Sequence, residues 1–116
     1  MTERALPTWR YGEGATKGSW EGHDLGSDVS GFVVDAAQGE GPSAHTHPYS
    51  ETFVLLEGSG RWTAGDEAVD LHANQMLVVP SETPHGFRNT AEEPLLVVSV
   101  HESGTLDQTF LGRDPD

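Results

Sequence analysis

Apolar residues in this chain form short runs of strand length, separated by residues typical of turns. The runs lie at residues 32–34, 52–56, 61–63, 76–79 and 95–100, and Gly, Pro and Asn interrupt the sequence between them. No window shows a convincing helical period. Several short strands at near-regular spacing predict an all-β fold, an antiparallel sandwich or barrel, and not alternating strands and helices.

Three of these runs, 52–56, 76–79 and 95–100, are apolar at both parities instead of alternating with polar residues. Strands of this kind are usually covered on both faces. Another sheet or a second subunit could supply the cover, and we therefore expect a homodimer.

The length of 116 residues is typical of one domain. We predict a β-barrel domain over residues 29–111. Residues 1–28, with the aromatic residues Trp9, Tyr11 and Trp20, have a weak strand pattern and are predicted to pack on the barrel as an N-terminal arm. Residues 112–116 are polar and are predicted to be a frayed tail.

The charge excludes several classes of partner. The chain has 19 acidic and 6 basic residues, for a net charge of −13, so nucleic acid and anionic membrane surfaces are not expected partners. Cysteine is absent, which excludes disulfides and thiolate ligands. No apolar stretch approaches the roughly 20 residues of a membrane span, and the N-terminus lacks the apolar segment of a signal peptide. These features predict a cytoplasmic protein.

Four potential metal ligands flank two of the apolar runs. His45, His47 and Glu51 precede the run 52–56, and His85 follows the run 76–79. Side chains two residues apart on a strand share a face, so the first three can point into one cavity, which His85 must reach from another strand. Imidazole and carboxylate ligands suit one divalent ion of iron, manganese, nickel, cobalt or zinc. Four protein ligands on an octahedral ion leave two positions for water, dioxygen or substrate.

The same residues form two motifs that resemble those of the cupin superfamily. Residues 39–58 read G-x5-H-x-H-x3-E-x6-G and match cupin motif 1. Residues 74–89 read N-x5-P-x-E-x2-H-x3-N and resemble motif 2, with Asn74 and Glu82 where the family usually has glycine. The resemblance implies a single jelly-roll-like double-stranded β-helix with His45, His47, Glu51 and His85 as the metal ligands.

The two departures from glycine concern turns. Asn is the residue most able to replace glycine in a left-handed conformation, so Asn74 is a mild departure. Glu82 either reflects a changed turn or places a carboxylate near the mouth of the site.

Other residues near the motifs receive weaker interpretations. By strand parity, Phe53 and Leu55 follow Glu51 inward and Phe87 follows His85, which gives the ion an apolar, pocket-lining surround. The remaining histidines, His23, His72 and His101, are interpreted as ordinary polar residues. For His101, a position facing the cavity is the minor alternative.

The leading functional hypothesis is a metal-dependent enzyme of the oxygenase type, acting on a small organic molecule that binds at or beside the ion. Glu51 could accept a substrate proton if it loosens from the ion. One alternative is a non-redox isomerase, cyclase or lyase in which the ion acts as a Lewis acid. The other is a cupin that binds a small ligand without converting it.

Overall fold

The structure is a computed structural model that describes residues 16–111. Residues 1–15 and 112–116 lie outside this range, so the greater part of the expected N-terminal arm, with Trp9 and Tyr11, and the expected tail are not among the described residues. The division into arm, barrel domain and tail stays a prediction.

Ten β-strands and one short 3-10 helix, Gly22–Leu25, make up the described part of the chain. The strands are β1 (Thr16–Trp20), β2 (Ser30–Ala36), β3 (His45–Thr46), β4 (Glu51–Glu57), β5 (Ser59–Ala64), β6 (Glu67–His72), β7 (Met76–Val79), β8 (His85–Arg88), β9 (Leu95–His101) and β10 (Thr109–Phe110). All five apolar runs of the sequence lie within strands, because β-branched and aromatic residues favour the pleated surface of a sheet.

The strands form two five-stranded sheets, ordered β1-β2-β9-β4-β7 and β10-β3-β8-β5-β6. Every pairing between neighbouring strands is antiparallel. Strands from distant parts of the sequence are neighbours in both sheets, as β2, β9 and β4 show. The predicted all-β, jelly-roll-like antiparallel barrel is confirmed.

The hydrophobic core lies between the inner faces of the two sheets. Strand β9 illustrates the alternation: Leu95, Val97, Ser99 and His101 are buried, whereas the residues between them are partly exposed. Trp62 of β5 is fully buried in the same core and its ring stacks on that of Phe87, with 4.4 Å between centroids. Burial of these side chains is the main favourable contribution to folding.

The outer face of the first sheet remains apolar in the single chain. Met76, Val54 and Val98 lie side by side across β7, β4 and β9. Met76 is 60% exposed, and Val78 is 52% exposed. The runs that are apolar at both parities form β4, β7 and β9. Their inner faces lie in the core, and their outer faces are only partly covered within this chain.

No helix within residues 16–111 is long and apolar enough to span a membrane.

Candidate metal centre

Strand pairing brings the four predicted ligands to one place between the sheets. His45 on β3 lies directly opposite His85 on β8. Glu51 begins β4 in the other sheet, and His47 lies in the short connection between β3 and β4. All four side chains are buried, with at most 4% of each residue exposed. Sequence parity anticipated that His45, His47 and Glu51 would converge, and the pairing of β3 with β8 adds His85.

The donor atoms of these residues form a compact cluster. One ligand atom from each of His45, His47, Glu51 and His85 lies within 4.8 Å of all the others. The Glu51 Oε1 atom is 2.9 Å from His47 Nε2 and 2.7 Å from His85 Nε2. Such a spacing suits side chains that surround a single ion.

Backbone carbonyls orient the three imidazoles from outside the cluster. The Nδ1 atoms of His45 and His85 each lie 2.7 Å from a carbonyl oxygen, that of Ser43 and that of Thr83. His47 Nδ1 lies 3.0 Å from the carbonyl oxygen of Asp107. Only a protonated Nδ1 can donate to a carbonyl, so a neutral ring in this position presents an unprotonated Nε2 to the centre. Metal-binding histidines in proteins commonly have this arrangement.

The chemistry of the donor set fits a divalent transition metal. With Nδ1 protonated, the Nε2 atoms of His47 and His85 cannot donate to Glu51 unless the rings carry a positive charge. Their short contacts to one carboxylate oxygen therefore require a cation, either an added proton on each ring or a metal ion between the groups. Nitrogen and oxygen donors of this type match the iron, manganese, nickel, cobalt or zinc expected from the sequence.

Burial and hydrogen bonding change the acidity of the cluster. Burial tends to raise the pKa of Glu51, but hydrogen bonds from His101, His47 and His85 outweigh it and hold the pKa well below the ordinary value. Burial likewise tends to lower the pKa of His47, yet its hydrogen bonds to Glu51 and to the Asp107 carbonyl raise it. For His45 burial dominates and lowers the pKa. The centre thus favours an ionised carboxylate.

His101 belongs to the site, contrary to its interpretation as an ordinary polar residue. It is 1% exposed, lies opposite Glu51 across β9 and β4, and its Nε2 is 3.1 Å from Glu51 Oε2. Val97 and Ser99 of the same strand line the cavity, but the run is apolar at both parities, so the sequence left the orientation of His101 open. The other two histidines interpreted as ordinary, His23 and His72, are exposed.

Tyr49 is a site residue that the sequence analysis missed. Its ring stacks on His47 with 5.0 Å between centroids, and its hydroxyl lies 2.8 Å from His101 Nδ1. The hydroxyl also accepts a hydrogen bond from the backbone N–H of Asp107. Burial raises the pKa of Tyr49, so its hydroxyl keeps its proton. Because Tyr49 lies between two motif residues, its position beside the ligands was the available indication.

A cavity of about 420 Å³ opens on the cluster at His45 and Glu51. Two of the three residues predicted to line it, Phe53 and Phe87, do so. Leu55 instead is fully buried in the hydrophobic core and is not part of the lining. Apolar side chains form half of the remaining lining: Phe32, Val34, Pro42, Val97 and Phe110. The other half consists of Glu40, Gly41, Arg88, Ser99 and Gln108.

The two motif positions that depart from glycine keep the backbone conformation that favours glycine. Asn74 has a φ of 74° and Glu82 a φ of 62°. The backbone N–H of Glu82 donates to the His47 carbonyl at 2.7 Å, which ties the turn to the ligand segment. Glu82 is exposed and is not among the residues that line the cavity. The positive φ of Glu82 argues against a changed turn. A carboxylate near the mouth of the site stays a prediction.

Comparison with solved structures supports the fold. An uncharacterised protein with a double-stranded β-helix domain from Klebsiella pneumoniae is 24% identical, with a TM-score of 0.68 over 74% of this chain and 76% of that chain. Oxalate decarboxylase of Bacillus subtilis, which contains Mn(II) centres, is 19% identical, with a TM-score of 0.71 over 76% of this chain and 25% of that chain. At these identities the similarity concerns the fold alone.

Comparison of sequences extends this result to the family. The protein described as polyketide synthase CurC from Streptomyces cyaneus is 41% identical over 88 residues, which are 73% of this chain and 56% of that protein. This chain spans about half the length of the curated relatives that match it first. The cupin domain profile matches residues 32–101, which include every residue of the donor cluster. The chain therefore belongs to the cupin domain family.

Proposed function

We propose that this protein is a metal-dependent enzyme of the oxygenase type, acting on a small organic molecule that binds at or beside the ion. The observation that carries the proposal is the orientation of His45, His47 and His85. Each Nδ1 lies on a backbone carbonyl, and the buried cluster that includes Glu51 borders an open cavity. A site that only stabilised the fold would have no need of a cavity of about 420 Å³.

The proposed cofactor is one divalent transition metal per chain, held by His45, His47, Glu51 and His85. When bound, such an ion supplies Lewis acidity, and a redox-active ion also supplies electrons for chemistry with dioxygen. Manganese is among the candidates, because the structurally similar oxalate decarboxylase contains Mn(II).

The chain's own contribution begins with Glu51. In the metal-free protein, hydrogen bonds from three histidines hold its carboxylate ionised. With the ion bound, His47, His85 and Glu51 would all serve as ligands. The proposed role of Glu51 as a catalytic base therefore requires its carboxylate to loosen from the ion. The two carboxylate oxygens have different partners: Oε1 contacts His47 and His85, whereas Oε2 contacts His101.

The proposed substrate is a flat aromatic molecule with neighbouring oxygen donors. The cavity supports this class because four phenyl rings line it: Phe32, Phe53, Phe87 and Phe110. Aromatic surfaces favour planar apolar ligands, and neighbouring oxygens can chelate an ion at the polar end. Similarity to a protein described as a polyketide synthase favours a molecule built from β-dicarbonyl units.

The same similarity supports a second candidate, a non-redox cyclase, isomerase or lyase. Chains of β-dicarbonyl units close into rings when one carbonyl is polarised and a neighbouring carbon loses a proton. The Lewis acid and the Glu51 carboxylate would divide these two tasks.

One experiment separates these functions. The purified protein is analysed for bound metals, then loaded with Fe(II), Mn(II) or Zn(II) and incubated with benzoylacetone, an aromatic β-diketone. Oxygen uptake with cleavage of the diketone supports the oxygenase. Conversion without oxygen uptake supports the Lewis-acid enzyme, and binding without conversion supports a ligand-binding protein. If the protein takes up none of these metals, the proposed metal centre is wrong. His72→Ala, which removes an exposed histidine, serves as the control variant.

We also propose that the protein forms a homodimer through the outer face of the first sheet. Seven outward residues of β4, β7 and β9 carry no charge: Thr52, Val54, Met76, Val78, Leu96, Val98 and Val100. Glu57, at the end of β4 and opposite Leu96, is charged and exposed. In a chain with a net charge of −13, this mostly apolar face is where two copies can approach with least repulsion. Burial of this face would then supply the association energy.

A further inference from the structure

The segment that follows the cupin match returns to the metal centre. The family match ends at residue 101, and β10 then pairs with β3, which places Phe110 opposite His45 and Thr109 opposite Thr46. The backbone N–H of Leu111 donates to the carbonyl of Ala44 at 3.1 Å. This short strand therefore covers the edge of β3, the strand on which the first ligand lies.

Residues just before β10 fasten this segment to two histidines. The Asp107 carbonyl accepts from His47 Nδ1 at 3.0 Å, and the Asp107 N–H donates to the Tyr49 hydroxyl at 3.0 Å. That hydroxyl in turn contacts His101. Residues 107–111 are thus held in place by His47, a predicted metal ligand, and by Tyr49, whose hydroxyl contacts His101.

Phe110 uses this position to form one wall of the cavity. Its ring lies 5.0 Å from that of His45, at 35° between planes, and both residues line the cavity. Phe110 is nevertheless 49% exposed. The adjacent Leu111 is similarly exposed, at 51%, but is not part of the lining. A half-exposed phenyl ring beside a metal-binding histidine offers apolar surface to a molecule bound in the cavity.

We propose that Phe110 is a specificity-determining residue, whose ring packs against the aromatic part of a substrate bound at the metal. The inference rests on the proposed function, since it concerns the ligand of the same site.

The test compares two β-diketones that differ by one aromatic ring. Acetylacetone and benzoylacetone are titrated into Co(II)-loaded protein, and binding is followed by visible absorption. Replacement Phe110→Ala is expected to weaken benzoylacetone binding about tenfold, as loss of an aromatic pair with its buried area implies, and acetylacetone binding less than about twofold. Phe110→Trp keeps an aromatic ring and should restore the preference, and Leu111→Ala should leave both affinities unchanged.

Several outcomes would overturn the inference. If Phe110→Ala lowers the affinity for both diketones equally, the Phe110 ring does not contact the aromatic group of the substrate. An equal effect of Leu111→Ala would show a general disturbance of β10. If the unaltered protein binds both diketones and Phe110→Ala binds them with the same affinities, this inference fails and the proposed function stands. If the unaltered protein binds no Co(II), the proposed function fails first and this inference with it. Metal content and melting temperature of Phe110→Ala, expected to match the unaltered protein, show that the variant is folded.

Discussion

Glu51 and His101 lie directly opposite each other on β4 and β9, with His101 Nε2 3.1 Å from Glu51 Oε2. His101 differs from the ligand histidines because its Nδ1 faces the Tyr49 hydroxyl instead of a carbonyl. A hydroxyl can donate to an unprotonated Nδ1, so a neutral His101 can donate its Nε2–H to Glu51. His101 therefore orients the carboxylate without needing a cation, whereas the contacts of His47 and His85 require one.

This relationship predicts the effect of His101→Ala on metal binding. Loss of the bond to Oε2 frees the Glu51 carboxylate to rotate, and loss of such an outer partner typically weakens metal affinity about 10- to 100-fold. Competition with a fluorescent chelator measures the affinity. The matched control is His72→Ala, which removes an exposed histidine. Equal affinity in the two variants would contradict a positioning role for His101.

Replacement of a ligand should lower metal content and stability together. We expect His47→Ala and His85→Ala to lose bound metal and the metal-dependent rise in melting temperature, because an ion that binds only the folded state stabilises it. That contribution is about 4 kcal/mol at a free metal concentration about a thousandfold above Kd. Elemental analysis and thermal unfolding with and without a chelator measure both quantities. Full metal stoichiometry in both variants would remove these residues from the ligand set.

The lowered pKa of Glu51 predicts an acid-sensitive fold in the metal-free protein. A carboxyl whose pKa is lower in the folded state contributes stability above its unfolded value of 4.5, and this contribution is lost as pH falls from that value toward the folded pKa. Denaturant unfolding between neutral pH and pH of about 3 measures it. Glu51→Gln should flatten the slope below pH 4.5. Glu82→Gln, a change of the same kind at an exposed position, is the matched control. Parallel slopes for Glu51→Gln and the unaltered protein would argue against the bonded, ionised carboxylate.

The left-handed conformation of Glu82 predicts a stabilising substitution. Relief of that conformation in Glu82→Gly is worth roughly 1–2 kcal/mol, offset by roughly 0.5–1 kcal/mol of glycine entropy in the unfolded chain. We therefore expect a net gain of roughly 0.5–1 kcal/mol, measured by denaturant unfolding. Asn74→Gly should gain less, because asparagine adopts this region more readily. A loss of stability in Glu82→Gly would show that its side chain makes a compensating contact.

The proposed homodimer predicts a charge-sensitive association. Sedimentation at micromolar concentration should show a dimer, and Val78→Lys should dissociate it, because a buried charge without a partner is costly. Ala68→Lys places the same charge on an exposed position of β6, in the other sheet, and should leave the dimer intact. A monomer at this concentration would indicate that the outer face is covered by the N-terminal segment of the same chain.

The sequence by itself determined the fold class and the composition of the donor cluster. Short apolar runs and turn residues are local features, and strand parity is a local rule, so both can be read without knowledge of pairing. The two histidines and the glutamate of the first motif lie close together in the chain, which is why their convergence was predictable. Motif resemblance then added His85, whose position opposite His45 depends on a distant strand.

Only the tertiary structure decided what surrounds the cluster. The pairing of β4 with β9 brings His101 to Glu51, and the pairing of β3 with β10 brings Phe110 to His45. Parity alone could not separate Phe53, which lines the cavity, from Leu55, which is one strand period further into the core. Local patterns state which face a side chain occupies, but not which distant strand lies opposite, since pairing depends on burial over the whole chain.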